Sequence, residues 1–185
     1  MRTFIAVNLP ESIRGDIGEH LDRFRLLTKG VSWVPPGNAH ITLKFLGEVP
    51  ESELPGVSGA VRSAVSGRKQ FEVQLGGFGA FPNFKRPRVF WVGITDGVDS
   101  LRELAQAIEN ELVPLGFERE KRRFSAHITL GRIRRPGDYD DLRRAAESAE
   151  YASQPFTVPS VEVMKSILSP TGAQYSIFES FSLET

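Results

Sequence analysis

His40-Ile41-Thr42-Leu43 and His127-Ile128-Thr129-Leu130 are the same four residues, placed 87 positions apart. In an extended strand, side chains alternate between faces, so positions i and i+2 share one. Each copy therefore sets an imidazole beside a hydroxyl on one face and two aliphatic side chains on the other. Two of the chain's three histidines lie in these copies. If the two strands converge on one cleft, the cleft holds two groups that exchange protons near neutral pH and two short hydrogen-bond donors. That set suits metal-free chemistry at a phosphodiester.

The repeat runs beyond the tetrapeptide. Phe4-Ile5-Ala6-Val7 resembles Phe90-Trp91-Val92-Gly93, and Phe71-Glu72-Val73 resembles Phe156-Thr157-Val158, at offsets of 86 and 85. Such a period is too long for a solenoid. It reads as a duplication, with halves near 1–86 and 87–185 forming two similar lobes of one domain, 1–185. Chance likeness of strand segments explains the flanks alone; two identical motifs in register favour duplication.

Around the motifs, periodicity places the elements. Thr3–Leu9 reads as a strand. Glu11–Leu27 reads as a helix, with Ile13, Ile17, Leu21, Phe24 and Leu27 on one stripe. His20 falls off that stripe and reads as a surface residue. Val31–Val34 is a short strand, Pro35-Pro36-Gly37-Asn38 a turn and His40–Gly47 a strand. Ser52–Ser66 is a weaker helix. Phe71–Phe81 is a strand that Gly76, Gly77 and Gly79 bend or bulge. The second round gives a strand at Arg88–Thr95, a helix at Val98–Val113, a short extended piece at Phe117–Glu120 and the second motif strand at Phe124–Ile133. A helix at Asp140–Ser148 follows, then strands at Phe156–Leu168 and Gln174–Leu183 joined at Pro170-Thr171-Gly172. Each half reads β-α-β-β-α-β, which suits an α+β fold with helices on one face of each sheet. Strand pairing, and whether the halves exchange strands, stays open.

Composition narrows the function classes. The chain has 185 residues, 40% hydrophobic and 25% charged, with no cysteine and zero formal net charge. Such a chain buries roughly 70% of its unfolded surface without disulfides. Lacking cysteine, it has no thiolate metal site or thiol nucleophile, and it suits a reducing cytoplasm. No apolar run reaches the roughly 18 residues that span a bilayer, and the first ten residues lack a signal-peptide pattern. The expectation is a cytoplasmic protein with no membrane partner. Zero net charge argues against a non-specific nucleic-acid coat. Charge is nonetheless local: Arg119, Lys121, Arg122, Arg123, Arg132, Arg134 and Arg135 bracket the second motif against one acid, Glu120, and Lys85, Arg86 and Arg88 form a second cluster. These are either solvated loop charges or an attraction for an anionic substrate.

Opening a cyclic phosphodiester needs a base for water and an acid for the departing ribose oxygen. Imidazole, with an ordinary pKa of about 6.5, can serve as either. Thr42 and Thr129 can donate to the non-bridging oxygens as charge develops there, although strand propensity alone also explains threonine. Competing chemistries lack their residues. There is no Gly-x4-Gly-Lys-Ser/Thr loop and no His-Glu-x-x-His, and Gly76-Gly77-Phe78-Gly79 lies inside a strand rather than before a helix. No carboxylate accompanies either motif on its own strand face, so the expectation is no metal and no cofactor.

The paired motifs, with Arg132 after the second, resemble the two-histidine phosphoesterase superfamily. Within it the chain is similar to the RNA 2′,3′-cyclic phosphodiesterases, the LigT-like 2′-5′ RNA ligase group. The resemblance covers nearly the whole chain: Arg2–Val7, Asn38–Glu48, Phe81-Pro82, Pro87–Val89 and Phe124–Arg132. One departure is Ala126, where the family often has proline before the histidine, a change in backbone restriction more than in chemistry. The resemblance implies a duplicated, pseudo-two-fold bilobal fold: two antiparallel sheets, helices on the outer faces and a central cleft. It implies a metal-free hydrolase that turns the 2′,3′-cyclic phosphate at an RNA or oligonucleotide end into a 2′-phosphate; a monomer is the expectation, although the sequence does not reveal the oligomeric state. It also implies 2′-5′ joining of RNA ends, such as tRNA halves, as an alternative activity. It makes His40 the proton donor and His127 the acceptor, with Arg132 and Phe45 as contacts for phosphate and base. Near-symmetric motifs leave the two histidine roles exchangeable on the residues alone. Phe45 and Arg132 each stand five residues after a histidine, so ideal alternation puts them on the wrong face. A bulge or strand end near Gly131 or Gly47 has to re-aim them. The rival from another class is an idle RNA- or nucleotide-binding module on the same fold.

Overall fold

A computed structural model describes every residue from Met1 to Thr185. Nine strands and four helices follow in the order β1 (Arg2–Asn8), α1 (Glu11–Leu27), β2 (Val31–Trp33), β3 (His40–Glu48), α2 (Leu54–Val65), β4 (Phe71–Phe81), β5 (Val89–Asp96), α3 (Val98–Leu112), β6 (His127–Ile133), α4 (Asp140–Ser148), β7 (Phe156–Val158), β8 (Ser160–Ser169) and β9 (Gly172–Ser182). The strands form two antiparallel sheets. One runs β3-β1-β8-β9 and the other β2-β6-β5-β4-β7.

Neither sheet is made by one half of the chain. β4 leaves the first half to lie beside β5, and β8 leaves the second to lie beside β1. The helices cross as well. α2 and α3 cover the four-stranded sheet, whereas α1 and α4 cover the five-stranded one. Phe24 of α1 packs edge-on against Phe78 of β4 and Phe90 of β5, with ring centroids 4.9 and 5.1 Å apart. A single cluster of 38 buried hydrophobic side chains runs through both layers. Phe4, Ala6 and Met164 form a small separate cluster on the other face of the four-stranded sheet. That second face looks into the cleft.

The structure corrects several expectations. Phe156–Leu168 is two strands, because Pro159 has no N–H to continue the ladder. β7 pairs with β4, and β8 passes to the other sheet. Phe156–Val158 is thus the neighbour of Phe71–Val73 and not its counterpart. The offset of 86 is also one residue too long. Val7 faces Ile41 and Val92 faces Ile128, so register equates Ile5 with Phe90, offset 85. A one-residue slip exchanges faces: Phe90 and Ile5 are both fully buried in the core, while Phe4 lies on the cleft side. Phe117–Glu120 joins no sheet. His20 is half-buried, its ring 4.5 Å from Tyr151 and 5.1 Å from Phe78, because the chain after α4 covers that flank of α1. Burial, helped by the charge of Arg23, holds its pKa below the usual value.

The glycines of β4 have distinct causes. Gly77 adopts a left-handed φ of 70° where the β4–β5 register shifts, a bulge that glycine enters without strain. At Gly79 the Trp91 ring lies against the backbone, and a Cβ there would sit 2.3 Å from it.

Candidate active site

β3 and β6 meet along the cleft. Their registers show how the motifs are aimed. On β3, Asn8 faces His40 and Ala6 faces Thr42, but Ile5 faces Lys44, so Leu43 is passed over. On β6, Gly93 faces His127 and Trp91 faces Thr129, but Phe90 faces Gly131, so Leu130 is passed over. Each strand thus carries a bulge at the same motif position. Burial follows the bulges. Ile41 and Ile128 are buried while His40, Thr42, His127 and Thr129 are partly open; Leu43-Lys44 and Leu130-Gly131 then turn inward in succession. The extra residue returns Phe45 and Arg132 to the cleft face. For Phe45 the bulge at Leu43, within the motif, sets its face; a second register shift, at Leu46 beside Gly47, follows it. Phe45 and Arg132 are each five residues beyond a histidine, and thus occupy matching positions.

Both imidazoles are oriented by the same local device. His40 Nδ1 lies 2.8 Å from the Asn38 carbonyl oxygen, and His127 Nδ1 lies 2.7 Å from that of Ser125. A carbonyl only accepts, so Nδ1 carries the proton and donates in both. Nε2 is left as the titrating nitrogen. At His40 it lies 3.0 Å from Thr42 Oγ1; while the ring is neutral, the hydroxyl donates to it. Thr129 makes no such bond to His127. Around His40 pack Phe4, at 4.8 Å between centroids, and the edge of Tyr175, at 5.4 Å. Against His127 stands Phe81, edge-on at 5.0 Å.

Both histidines titrate below their ordinary value. Desolvation is the chief cause at each. The bonds to Asn38 and Ser125 pull the other way. The charge of Arg132 lowers both, and His40 also feels Arg14 and His127. Arg132 therefore acts electrostatically on both histidines, although it comes from only one motif. Phe45 is 65% exposed, its ring 6.1 Å from that of Phe4.

Two groups escaped the sequence reading. Arg14, on the first turns of α1, makes no ion pair, and its Nε is buried without a partner. Only its place three residues after Glu11 was visible, and nothing there points to the cleft. Glu162 of β8 pairs with Ala6, which also pairs with Thr42, so a carboxylate does stand on this face, two strands from the motif. Ser160 and Ser180 donate to its Oε1, while Oε2 has no partner.

Comparison with known proteins agrees with this arrangement. The model of the LigT-like phosphoesterase family matches twice, over residues 7–91 and 92–175. The RNA 2′,3′-cyclic phosphodiesterase of Methanothermobacter thermautotrophicus is 33% identical over 186 residues, covering 99% of each chain. That of Archaeoglobus fulgidus is 36% identical over 176 residues, covering 95% of this chain and 96% of its own. Among solved structures, TT0787 of Thermus thermophilus superposes with a TM-score of 0.83 at 30% identity, covering 99% of this chain and 98% of its own. E. coli LigT complexed with 3′-AMP gives 0.74 at 24% identity, covering 100% and 98%, a likeness of fold.

Proposed function

The chain belongs to the LigT-like phosphoesterase family, and from that premise we propose that it is an RNA 2′,3′-cyclic phosphodiesterase working by two-histidine acid–base catalysis without a metal. One observation carries the reading: two imidazoles on facing strands, each locked with its proton on Nδ1 and its Nε2 left to exchange protons. Water loses its proton to His127 Nε2 as its oxygen bonds to phosphorus. The bond from phosphorus to the 3′-oxygen breaks, and His40 Nε2 gives that oxygen a proton. The products are a 2′-phosphate and a 3′-hydroxyl, and solvent then restores the two protonation states.

The order of acid and base rests on the family resemblance. The charges of Arg14, Arg132 and His127 disfavour a protonated His40, and burial and Arg132 do the same at His127, so the electrostatics alone do not set the order. Once His40 is protonated, Nε2 no longer accepts from Thr42. Its N–H can turn to the leaving oxygen, and the threonine hydrogen is free to point at a phosphate oxygen. Thr129 has that freedom already. Arg132 would meet the phosphate charge, and Phe45 would stack on the terminal base.

The test is an oligoribonucleotide ending in a 2′,3′-cyclic phosphate, incubated with EDTA in ¹⁸O-labelled water. The expected product is a 2′-phosphate carrying one labelled oxygen. A 3′-phosphate, a need for added divalent metal, or no turnover would overturn the reading. The last outcome, with RNA still bound, would favour the idle binding module.

A further inference from the structure

Phe45 has two neighbourhoods. One side approaches Phe4 and, through it, His40. The other lines an open groove of about 620 Å³, with Lys44 and Leu46 on one wall and the loop from Gly116 to Arg122 on the other. Neither histidine lies in the groove, so it begins where the catalytic face ends.

The loop is held by a buried anchor. Lys44, turned inward by the β3 bulge, places Nζ 2.7 Å from Glu109 Oε1 of α3 and 2.8 Å from the Glu118 carbonyl. The Glu120 amide donates to the same carboxylate, and Arg119 lies 3.8 Å from its other oxygen. Burial pushes the Glu109 carboxyl up, but the bonds from Lys44 and Glu120 and the charges of Lys44 and Arg119 outweigh it and hold it below its usual value. Glu120 is also engaged, accepting from the amides of Lys121 and Arg122. The side chains of Lys121 and Arg122 are exposed and have no ion pair or hydrogen bond. The anchor thus fixes a loop that offers two unsatisfied cations along one wall, beside an exposed aromatic ring.

We infer that this groove binds the nucleotides upstream of the reacting end, with Lys121 and Arg122 on their phosphates. The inference rests on the cyclic phosphodiesterase reading, and chemistry sets the direction. A 2′,3′-cyclic phosphate ends the strand, so all remaining RNA leaves through the 5′-oxygen of the terminal nucleoside. With the phosphate at the histidines and the base at Phe45, the groove beyond Phe45 is where that strand passes. An aromatic platform followed by free cations is how single strands are held without reading sequence. The protein should therefore prefer an oligonucleotide to a cyclic mononucleotide.

The experiment compares wild type, Lys121→Ala/Arg122→Ala, and the control Arg143→Ala/Arg144→Ala, which removes equal charge from α4, outside the groove. Hydrolysis of 2′,3′-cyclic AMP and of a short oligouridylate with a cyclic end is measured. Binding of a fluorescent oligouridylate with a 2′-phosphate end is followed through a salt titration. The groove variant should lose on the order of tenfold in oligonucleotide kcat/KM and affinity, and its log–log salt slope should fall by about 1.4, two single-strand contacts. Its turnover of 2′,3′-cyclic AMP should not change, and the control should match wild type throughout. Equal loss on both substrates, loss on neither, or equal loss in the control would overturn the groove. A wild type that hydrolyses neither substrate, yet binds the oligonucleotide through Lys121 and Arg122, would retain the groove and remove the catalytic reading.

Discussion

β3 and β6 share a motif, a bulge and a carbonyl lock, yet their next residues do opposite work. After the bulge, β3 places Lys44 against α3 and Phe45 over a groove. At the matching positions β6 has Gly131 and Arg132. A Cβ on Gly131 would lie 2.6 Å from Val31 Cγ1, so β2 occupies the space where a side chain would go. Alike backbones deliver two equivalently locked imidazoles, and the side chains just beyond them differ: a buried lysine and an exposed ring on β3, a glycine and an arginine on β6. Symmetry supplies the scaffold here, and its local breaking gives the two strands different side chains.

The severest way to break the comparison is to remove one imidazole at a time. His40→Ala and His127→Ala should each cost at least ~10²–10⁴-fold in turnover, with the double variant less than additive because the two act as a unit. Single-turnover rates on folded protein decide this, and near wild-type rates in either would end the two-histidine scheme. Next comes the buried anchor that β3 has and β6 lacks. Lys44→Ala leaves Glu109 without its chief partner and should cost about 3 kcal/mol, the lower end for a buried pair. Gly131→Ala should cost about 1–3 kcal/mol from overpacking alone. Denaturant midpoints measure both, and a stable Lys44→Ala would mean that the loop anchor is ornamental.

Thr42→Val and Thr129→Val should each lower turnover by roughly 10²-fold, on the scale of one lost oxyanion donor, with little change in Tm. If stability falls and catalysis stays, the hydroxyls serve the fold. The finest comparison is Phe45→Ala against Arg132→Ala. The first should raise KM on the order of tenfold by losing a stacking surface and leave the pH profile in place. The second also removes a cation that lowers both histidines. Rate needs one ring charged and one neutral, so kcat/KM is bell-shaped between their pKa values, and lowered values place its peak below pH 6.5. Arg132→Ala should move that peak to higher pH. An unmoved peak would place Arg132 away from the pair.

What was legible in the sequence follows how local its cause is. α1 and α4 begin and end where their periodic stripes do, and α3 ends one residue early. Each motif's face was readable because it needs only alternation over three residues. The bulge at Leu130 was signalled by Gly131 and by the need to re-aim Arg132; the one at Leu43 has no turn residue beside it, and only the partner strand reveals the skipped position. Pro159 was visible as a residue, but its consequence, a change of sheet, depends on which edge is free. Glu162 reaches this face through a strand pairing far apart in sequence, and Arg14 comes within electrostatic range of His40 from helix α1, neither of which one sequence spells out. The Nδ1 locks were hidden for a smaller reason: they use backbone carbonyls, which every residue has.

The crossing of β4 and β8 bears on ancestry. A half-length forerunner of this design has a final strand with no place in its own sheet, and two copies that trade strands give each a home. Such a forerunner would be a homodimer with its two-fold axis between identical histidines. Joining its genes end to end keeps the trade within one molecule and lifts the requirement that both copies be the same. Position 45 can then become an aromatic ring while position 132 becomes a guanidinium, a division of labour no symmetric dimer can reach by mutation of one gene.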